Sequence, residues 1–552
     1  MKRSIKISSL ALVLFAAFGV AALACTNILV GKKASADGSV IITYSADDYG
    51  FYGYIRHYAA AKHPAGTKRR IVDGDSHKFL GYIDEAPETY RVMGNINEHQ
   101  LSIAETTFGG RPELVDTAGV VDYISLMSIG LQRAKTAREA IRVMTDVVQK
   151  YGYASSGESF SIADANEAWI LEMIGKGSGR KGVVWVAVRI PDDCISAHAN
   201  QSRIRKFDMK DKNNVMYSPD VISFAREKGY FTGKDADFSF ADAYCPLDFG
   251  GLRFCEARVW SFFNKWNSQM ASYADYVSGK AGFDGPHMPL YIKPDRKLSV
   301  RDVMASMRDH YEGTPFDLHN DIGQGPYEAP YRPTPLTWEY EGKTYFNERP
   351  ISTQQAGFTF VSQLRSWLPA EIGGIMWFGN DEANMIAYTP IYAGATEVPE
   401  CYREGTADGR TFSMKSAFWV CNWVANMTYP RYSMLFPSLQ AEQKRLEDLY
   451  FARQDSIEAE ASRLYSAGHT TEGRAYLTRY IVETAQSMLA DWQSLATYMI
   501  VKYNDQTIKP EKDGEFALTP NGIPVRAQRV GFPQRYRKAI VETTGDKFVS
   551  PE

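Results

Sequence analysis

Past an apolar run from Leu10 to Val20, hydrophobic and polar positions settle into short alternating stretches. Residues 25–31 (Cys-Thr-Asn-Ile-Leu-Val-Gly) and 40–44 (Val-Ile-Ile-Thr-Tyr) are β-rich and flank a turn marked by Asp37-Gly38. That order predicts an antiparallel hairpin beginning at Cys25. Residues 121–150 carry helical spacing, broken by a capping-box pattern at Thr136 and Glu139, so two helices are expected there. Strands are predicted over 159–163, 168–174, 182–190, 374–378, 385–392 and 418–424, at spacings that suit packed sheets better than regular βαβ alternation. Residues 237–350 are rich in Pro, Gly and aromatics and read as long ordered surface loops. Residues 438–467 and 471–503 read as two amphipathic helices; in the second, Leu477, Ile481, Ala485, Met488, Trp492, Leu495 and Met499 recur every three to four positions. Ala467-Gly468-His469 between them makes an antiparallel helix hairpin. Its apolar stripe is explained most simply by core packing, with a homo-oligomer seam as the sharper, less favoured alternative. Residues 510–552 show no regular pattern.

The apolar run gains meaning from its flanks. Lys2, Arg3 and Lys6 precede it and Ala22-Leu23-Ala24 follows, the small-x-small ending of a removable secretion signal. Cleavage after Ala24 would leave Cys25 as the first residue, with a thiol and a free α-amine on one residue. That amine has a pKa of roughly 7.7–8.0, so part of it is unprotonated near neutral pH. One residue then supplies both nucleophile and general base, as N-terminal threonine hydrolases do. Three other fates stand beside this one. A lipid anchor is the first, although Ala22 occupies the place where lipoprotein signals usually carry Leu. A disulfide partner is the second. An uncleaved membrane anchor is the third, although the run is short for a span of about 20 residues.

Size and charge narrow the field. The 552 residues, with 44% hydrophobic and 23% charged, suit a soluble globular protein of one very large or two to three ordinary domains. The formal net charge is −3, and loss of Lys2, Arg3 and Lys6 takes it to −6. With no basic block, nucleic acid is not an expected partner, and no second long apolar segment calls for stable membrane insertion. Six cysteines are too few for a disulfide-built scaffold. Cys245 with Cys255 and Cys401 with Cys421 could form local bridges, and buried free thiols fit as well. His-Glu-x-x-His, paired Cys-x-x-Cys, a complete P-loop, a dinucleotide fingerprint and Gly-x-Ser-x-Gly are all missing, so a zinc site has no sequence support and Cys25 is left as the best-supported nucleophile. His198 is the histidine nearest the candidate site; a strand-end structural role is favoured over a Cys–His dyad.

Several segments together resemble the C69 dipeptidases among the N-terminal-nucleophile hydrolases. They are residues 25–35 with Asp37-Gly38-Ser39, Gly94-Asn95-Ile96-Asn97-Glu98, residues 163–169, Pro191-Asp192-Asp193, residues 199–204, Glu312-Gly313-Thr314 and residues 348–354. The likeness runs from Cys25 to about Met434. It implies an α+β fold, a four-layer α/β/β/α sandwich with the nucleophile on the first strand, here followed by a C-terminal helical hairpin. The organisation expected is a signal peptide over 1–24, a catalytic domain over 25–435, the hairpin over 436–505 and an irregular tail over 506–552.

The resemblance also implies hydrolysis of dipeptides or short peptides without metal or organic cofactor, with Cys25, Asp47 and Asn200 as catalytic residues; the secretion-signal pattern adds the periplasm or the outside of the cell as the place of action. Asp47 would orient the α-amine, with Asp48 as its neighbour and rival. Asn200 would donate an amide hydrogen to the oxyanion, and a backbone N–H near Asn97 would be the second donor. Many members carry Arg three residues before the aspartate; here that place is Tyr44. Arg203 and Arg258 are the cations that could serve instead, so Asn97 and Arg203 are the expected substrate-binding residues. An amidase of the same fold acting on N-acyl amides, and a lipid-anchored peptide-binding protein, are the competing functions.

Overall fold

The computed structural model describes residues 25–283 and 285–552; the proposed signal segment lies outside them. Its centre is a pair of wholly antiparallel sheets. The first has seven strands in the spatial order Tyr291–Ile292, Ile195–His198, Asn27–Val30, Val40–Asp47, Ala356–Leu364, Gly374–Asn380 and Thr389–Tyr392. The second has eight, led by Val215–Tyr217, Val183–Ile190, Ala168–Gly175, Gly157–Ala163 and Ser102–Gly109 and finished by the short strands Ile96–Asn97, Val92–Met93 and His57–Tyr58.

The predicted hairpin is present, with Leu29 opposite Ile42 and Val30 opposite Ile41. Gly38, at φ +88°, supplies the left-handed conformation that its turn requires. Gly31 ends the first strand because a Cβ there would come 2.5 Å from the Asp192 carbonyl oxygen.

Strand alternation decides which core each side chain joins. In Ala168–Gly175, Trp169, Leu171 and Met173 enter the core shared with the helices Tyr123–Arg133 and Ala137–Tyr151. Ala168, Ile170 and Ile174 point the other way, into the larger core between the sheets. The Val40–Asp47 strand crosses Ser102–Gly109, Gly157–Ala163 and Ala168–Gly175, so the sheets pack face to face. The outer face of the first sheet is covered by helices Ala257–Trp266, Val300–Met307 and Thr470–Lys502. No helix among the described residues is long and apolar enough to cross a membrane.

Three expectations need correction. Residues 418–424 are not a strand but part of the helix Ala417–Thr428. A run of seven mainly apolar residues does not reveal its period, and the deciding signal is the Ser416 side chain, which accepts from the Trp419 N–H as N-cap. Residues 237–350 are not chiefly surface loops: they contain helices Ala257–Trp266 and Val300–Met307, with Trp260, Phe263, Val303 and Met307 buried in the core. The tail, irregular by its pattern, contains the helix Gln534–Thr544. All six cysteines are buried with free thiols.

The hairpin of Tyr432–Ser466 and Thr470–Lys502 is fastened by charge as well as by its apolar stripe. Glu458 receives both terminal nitrogens of Arg365 at 2.7 Å, and Tyr392 and Gln454 donate to the same carboxylate. Arg365 is buried, so removing its partner leaves a guanidinium in a dry site. Glu458→Ala is therefore expected to lower the unfolding free energy by about 3 kcal/mol, read from the denaturant midpoint. A change below about 0.5 kcal/mol would show that the pair adds nothing to docking of the helices.

Candidate active site

Cys25 lies two residues before the first strand, Asn27–Val30, and is 3% exposed. Thr26 bridges to Ser45 in both directions, which places Cys25 beside Asp47 at the end of the second strand. The fixing element is Arg258, from the helix Ala257–Trp266. Its Nη1 donates to the Cys25 carbonyl at 2.6 Å and to Thr26 Oγ1 at 2.7 Å. Its Nη2 donates to the Ala199 carbonyl at 3.1 Å and to Asn200 Oδ1 at 2.9 Å, and its Nε to the Phe254 carbonyl. One planar guanidinium thus ties the start of the chain's first strand to the loop carrying Asn200, and it is buried enough that its pKa falls to about 10.

Asp47 is buried against Arg349, whose Nη2 donates to Oδ2 at 2.6 Å, while Ser45 Oγ donates to Oδ1. Burial raises its pKa despite the pairing with Arg349. Its backbone N–H faces the Cys25 sulfur. Asn200 sits at φ +61° and donates Nδ2 to the Thr107 carbonyl at 2.8 Å. Cys25, Asp47 and Asn200 therefore belong to one connected cluster, with Arg258 as the hub on the backbone side.

Neither expected substrate-binding residue joins the cavity. Asn97 is fully buried; it donates to the Leu131 and Ala134 carbonyls and accepts from the His99 and Leu101 N–H groups, which holds a turn. Arg203 is paired with Glu256 at 2.7 Å and donates to the carbonyls of Ala197, Pro289 and Leu290. Both side chains have their hydrogen-bonding capacity taken up by the protein, so the structure gives them scaffold positions. Arg258, the other cation weighed for substrate, is likewise bonded to the protein, through three backbone carbonyls and the Thr26 and Asn200 side chains. His198 lies between Thr106 Oγ1 (2.7 Å) and Ser161 Oγ (2.8 Å), and burial drops its pKa to about 3. Both ring nitrogens are engaged away from the thiol, which suits a neutral structural histidine.

The cysteine lines a cavity of about 100 Å³, walled also by Tyr44, Asp47, Asp48, Phe51, Tyr54, Tyr123, Met127, Leu131 and Phe358. Arg56 is its one lining cation among the described residues, and Asp75 adds a third lining carboxylate. Sequence reading missed the groups nearest the thiol. Glu105 Oε1 lies 3.7 Å from Sγ and Tyr44 Oη lies 3.9 Å away, with the tyrosine hydroxyl also donating to Glu105. Asn27, with its carboxamide turned to satisfy both atoms, pairs with the Glu105 N–H at 3.1 Å and carbonyl at 3.2 Å. Burial first, then the negative charges of Glu105 and Asp47, push the Cys25 thiol well above its ordinary range. A thiol so placed needs a base at the moment of reaction.

Comparison with known proteins matches residues 24–445 to the model of peptidase family C69. The chain belongs to that family and is a peptide-bond hydrolase. A probable dipeptidase of Salmonella dublin is 28% identical over 399 residues, covering 67% of this chain and 81% of the relative. One from Latilactobacillus sakei is 27% identical, covering 74% and 82%. Dipeptidase A of Lactobacillus helveticus is 25% identical, covering 73% and 81%.

The Arg258 clamp makes a direct prediction. Arg258→Met should leave the buried carbonyls of Cys25 and Ala199 without a donor, lowering stability by roughly 2 kcal/mol and peptide turnover by about 100-fold or more. Denaturant unfolding and a peptide-cleavage assay measure the two effects. Unchanged turnover in a folded variant would show that the thiol does not depend on the clamp.

Proposed function

We propose that this chain is an exported cysteine dipeptidase whose mature form begins at Cys25, acting in the periplasm or outside the cell. The observation that carries the proposal is Cys25, which lines the cavity just ahead of the first strand while Arg258 holds its carbonyl. The removable-signal pattern of residues 1–24 supports export. The dipeptidase names of the relatives support the substrate class. Two face-to-face antiparallel sheets with helices on both outer faces favour the four-layer arrangement of N-terminal-nucleophile hydrolases.

In this mechanism Cys25 Sγ attacks the scissile carbonyl. The α-amine freed on the same residue takes the thiol proton and passes it to the leaving amine. A local amine suits a thiol that its surroundings keep protonated. Asp47, steadied by Arg349 and Ser45, holds the α-amine in position, and Asn200 supplies a donor for the oxyanion. Water then hydrolyses the thioester, releasing the acyl product and restoring the thiol.

Purified mature protein should cleave dipeptides and give an acyl adduct on Cys25 detectable by mass spectrometry. Cys25→Ser should keep the fold and lose at least about 10³-fold in turnover. Full activity in that variant would place the nucleophile elsewhere, dominant cleavage of large N-acyl amides would make the protein an amidase, and a diacylglycerol on Cys25 would make it an anchored binding protein.

A further inference from the structure

The end of the chain folds without burying its apolar side chains. Gln528–Arg529 pairs antiparallel with Thr507–Ile508, the Val525 N–H donates to the Ala517 carbonyl at 2.9 Å, and the helix Gln534–Thr544 follows. Yet no residue from 517 to 552 is buried. Ile523, Val530, Phe532 and Val541 are each at least 44% exposed. Ordering a backbone costs about 1–2 kcal/mol per residue, and apolar burial is the usual offset. Here the apolar groups stay outside, which marks a surface that something else covers.

Charge says what covers it. No Asp or Glu occurs between Glu515 and Glu542, and that interval holds Arg526, Arg529, Arg535, Arg537 and Lys538, in a mature chain that is acidic overall. Arg535 is used internally: it donates to the His319 carbonyl at 2.9 Å and pairs with Glu328 at 3.1 Å, which fastens the helix to the body. Tyr327 Oη donates to Gln506 at 3.1 Å, so this anchor adjoins residues 507–508, on which the strand lies. Strand and helix therefore occupy one end of the molecule. Among the described residues Arg526, Arg529 and Arg537 form no ion pair, and Lys538 has only the exposed Glu542 at 3.6 Å. On the helix, Val541 lies four residues after Arg537 and three after Lys538, so the three share the solvent face; Tyr536, Ala539 and Ile540 are half-buried behind it.

Cations interleaved with aliphatic groups match a layer of anionic headgroups above acyl chains. The cations meet phosphates, and the aliphatic groups enter the boundary beneath. A nucleic acid answers the cations alone, because Ile, Val and Leu offer no face for base stacking. We propose that residues 523–541 form a peripheral docking surface for an anionic phospholipid membrane. It holds the enzyme at the lipid without spanning it. The proposal is independent of the peptide hydrolysis above, since none of these residues lines the cavity of Cys25.

The test is co-sedimentation of the mature protein with vesicles of equal parts phosphatidylglycerol and phosphatidylcholine. Binding at low ionic strength should exceed that to pure phosphatidylcholine by about 10-fold or more. It should fall steeply in about 1 M salt, where the screening length is only about 3 Å. The triple variant R526E/R529E/R537E should weaken binding by about 30-fold or more and leave peptide turnover unchanged. Phe532→Ser with Val541→Ser should weaken it several-fold while keeping the salt dependence. Failure to bind anionic vesicles, equal binding to neutral ones, or full binding by the triple variant overturns the proposal. Two further results also overturn it: tighter binding to duplex DNA than to the vesicles, and self-association without lipid that the triple variant abolishes, which assigns the surface to a second copy of the chain.

Discussion

A buried guanidinium governs this structure. A chain start would ordinarily fray, because its first residues have few contacts to set against their conformational entropy. Here Arg258 donates to the Cys25 carbonyl and the Thr26 hydroxyl with one nitrogen, and to the Ala199–Asn200 loop with the other. Lysine could not do this, since a single ammonium cannot present two parallel pairs of donors in a fixed plane. In the mature form proposed above, the arrangement holds still a chain start that would otherwise be among the least constrained parts of the polypeptide, as the proposed nucleophile requires.

The second constraint is electrostatic. The thiol stands among Glu105, Asp47 and Asp75, with Glu158 behind, and its own charge is disfavoured there. Reactive cysteines are more often found in electropositive surroundings that stabilise the thiolate. An acidic setting is consistent with a nucleophile that loses its proton only as the bond forms. The cations nearby are already committed: Arg349 to Asp47, Arg258 to backbone and Arg203 to Glu256.

Local features of this site were legible in the chain, and distant ones were not. Cys25, the Asp37-Gly38 turn and Asp47 lie within one hairpin, so their proximity follows from strand pairing alone. Glu105, 80 residues beyond Cys25, reaches the thiol only because Asn27 fastens its backbone to the first strand. Arg258 comes from a stretch whose Pro, Gly and aromatic content resembled loop, so its helix and its role were both hidden. Asn97 and Arg203 are the reverse case. Polar residues in suggestive segments turned out to satisfy buried carbonyls and a carboxylate, a demand that the fold sets and that no local pattern announces. The helix Ala417–Thr428 was mistaken for a strand because a short apolar run carries no period, and its cap at Ser416 was the overlooked signal.

The central claim is that catalysis begins with an exposed sulfur and amine on one residue. Intact-mass and amino-terminal sequencing of the active, exported protein test it most directly. The account predicts a single species starting at Cys25, with an unmodified thiol and a free α-amine. An equally active species that starts at any other residue, or that carries an acyl group on that amine, would contradict it.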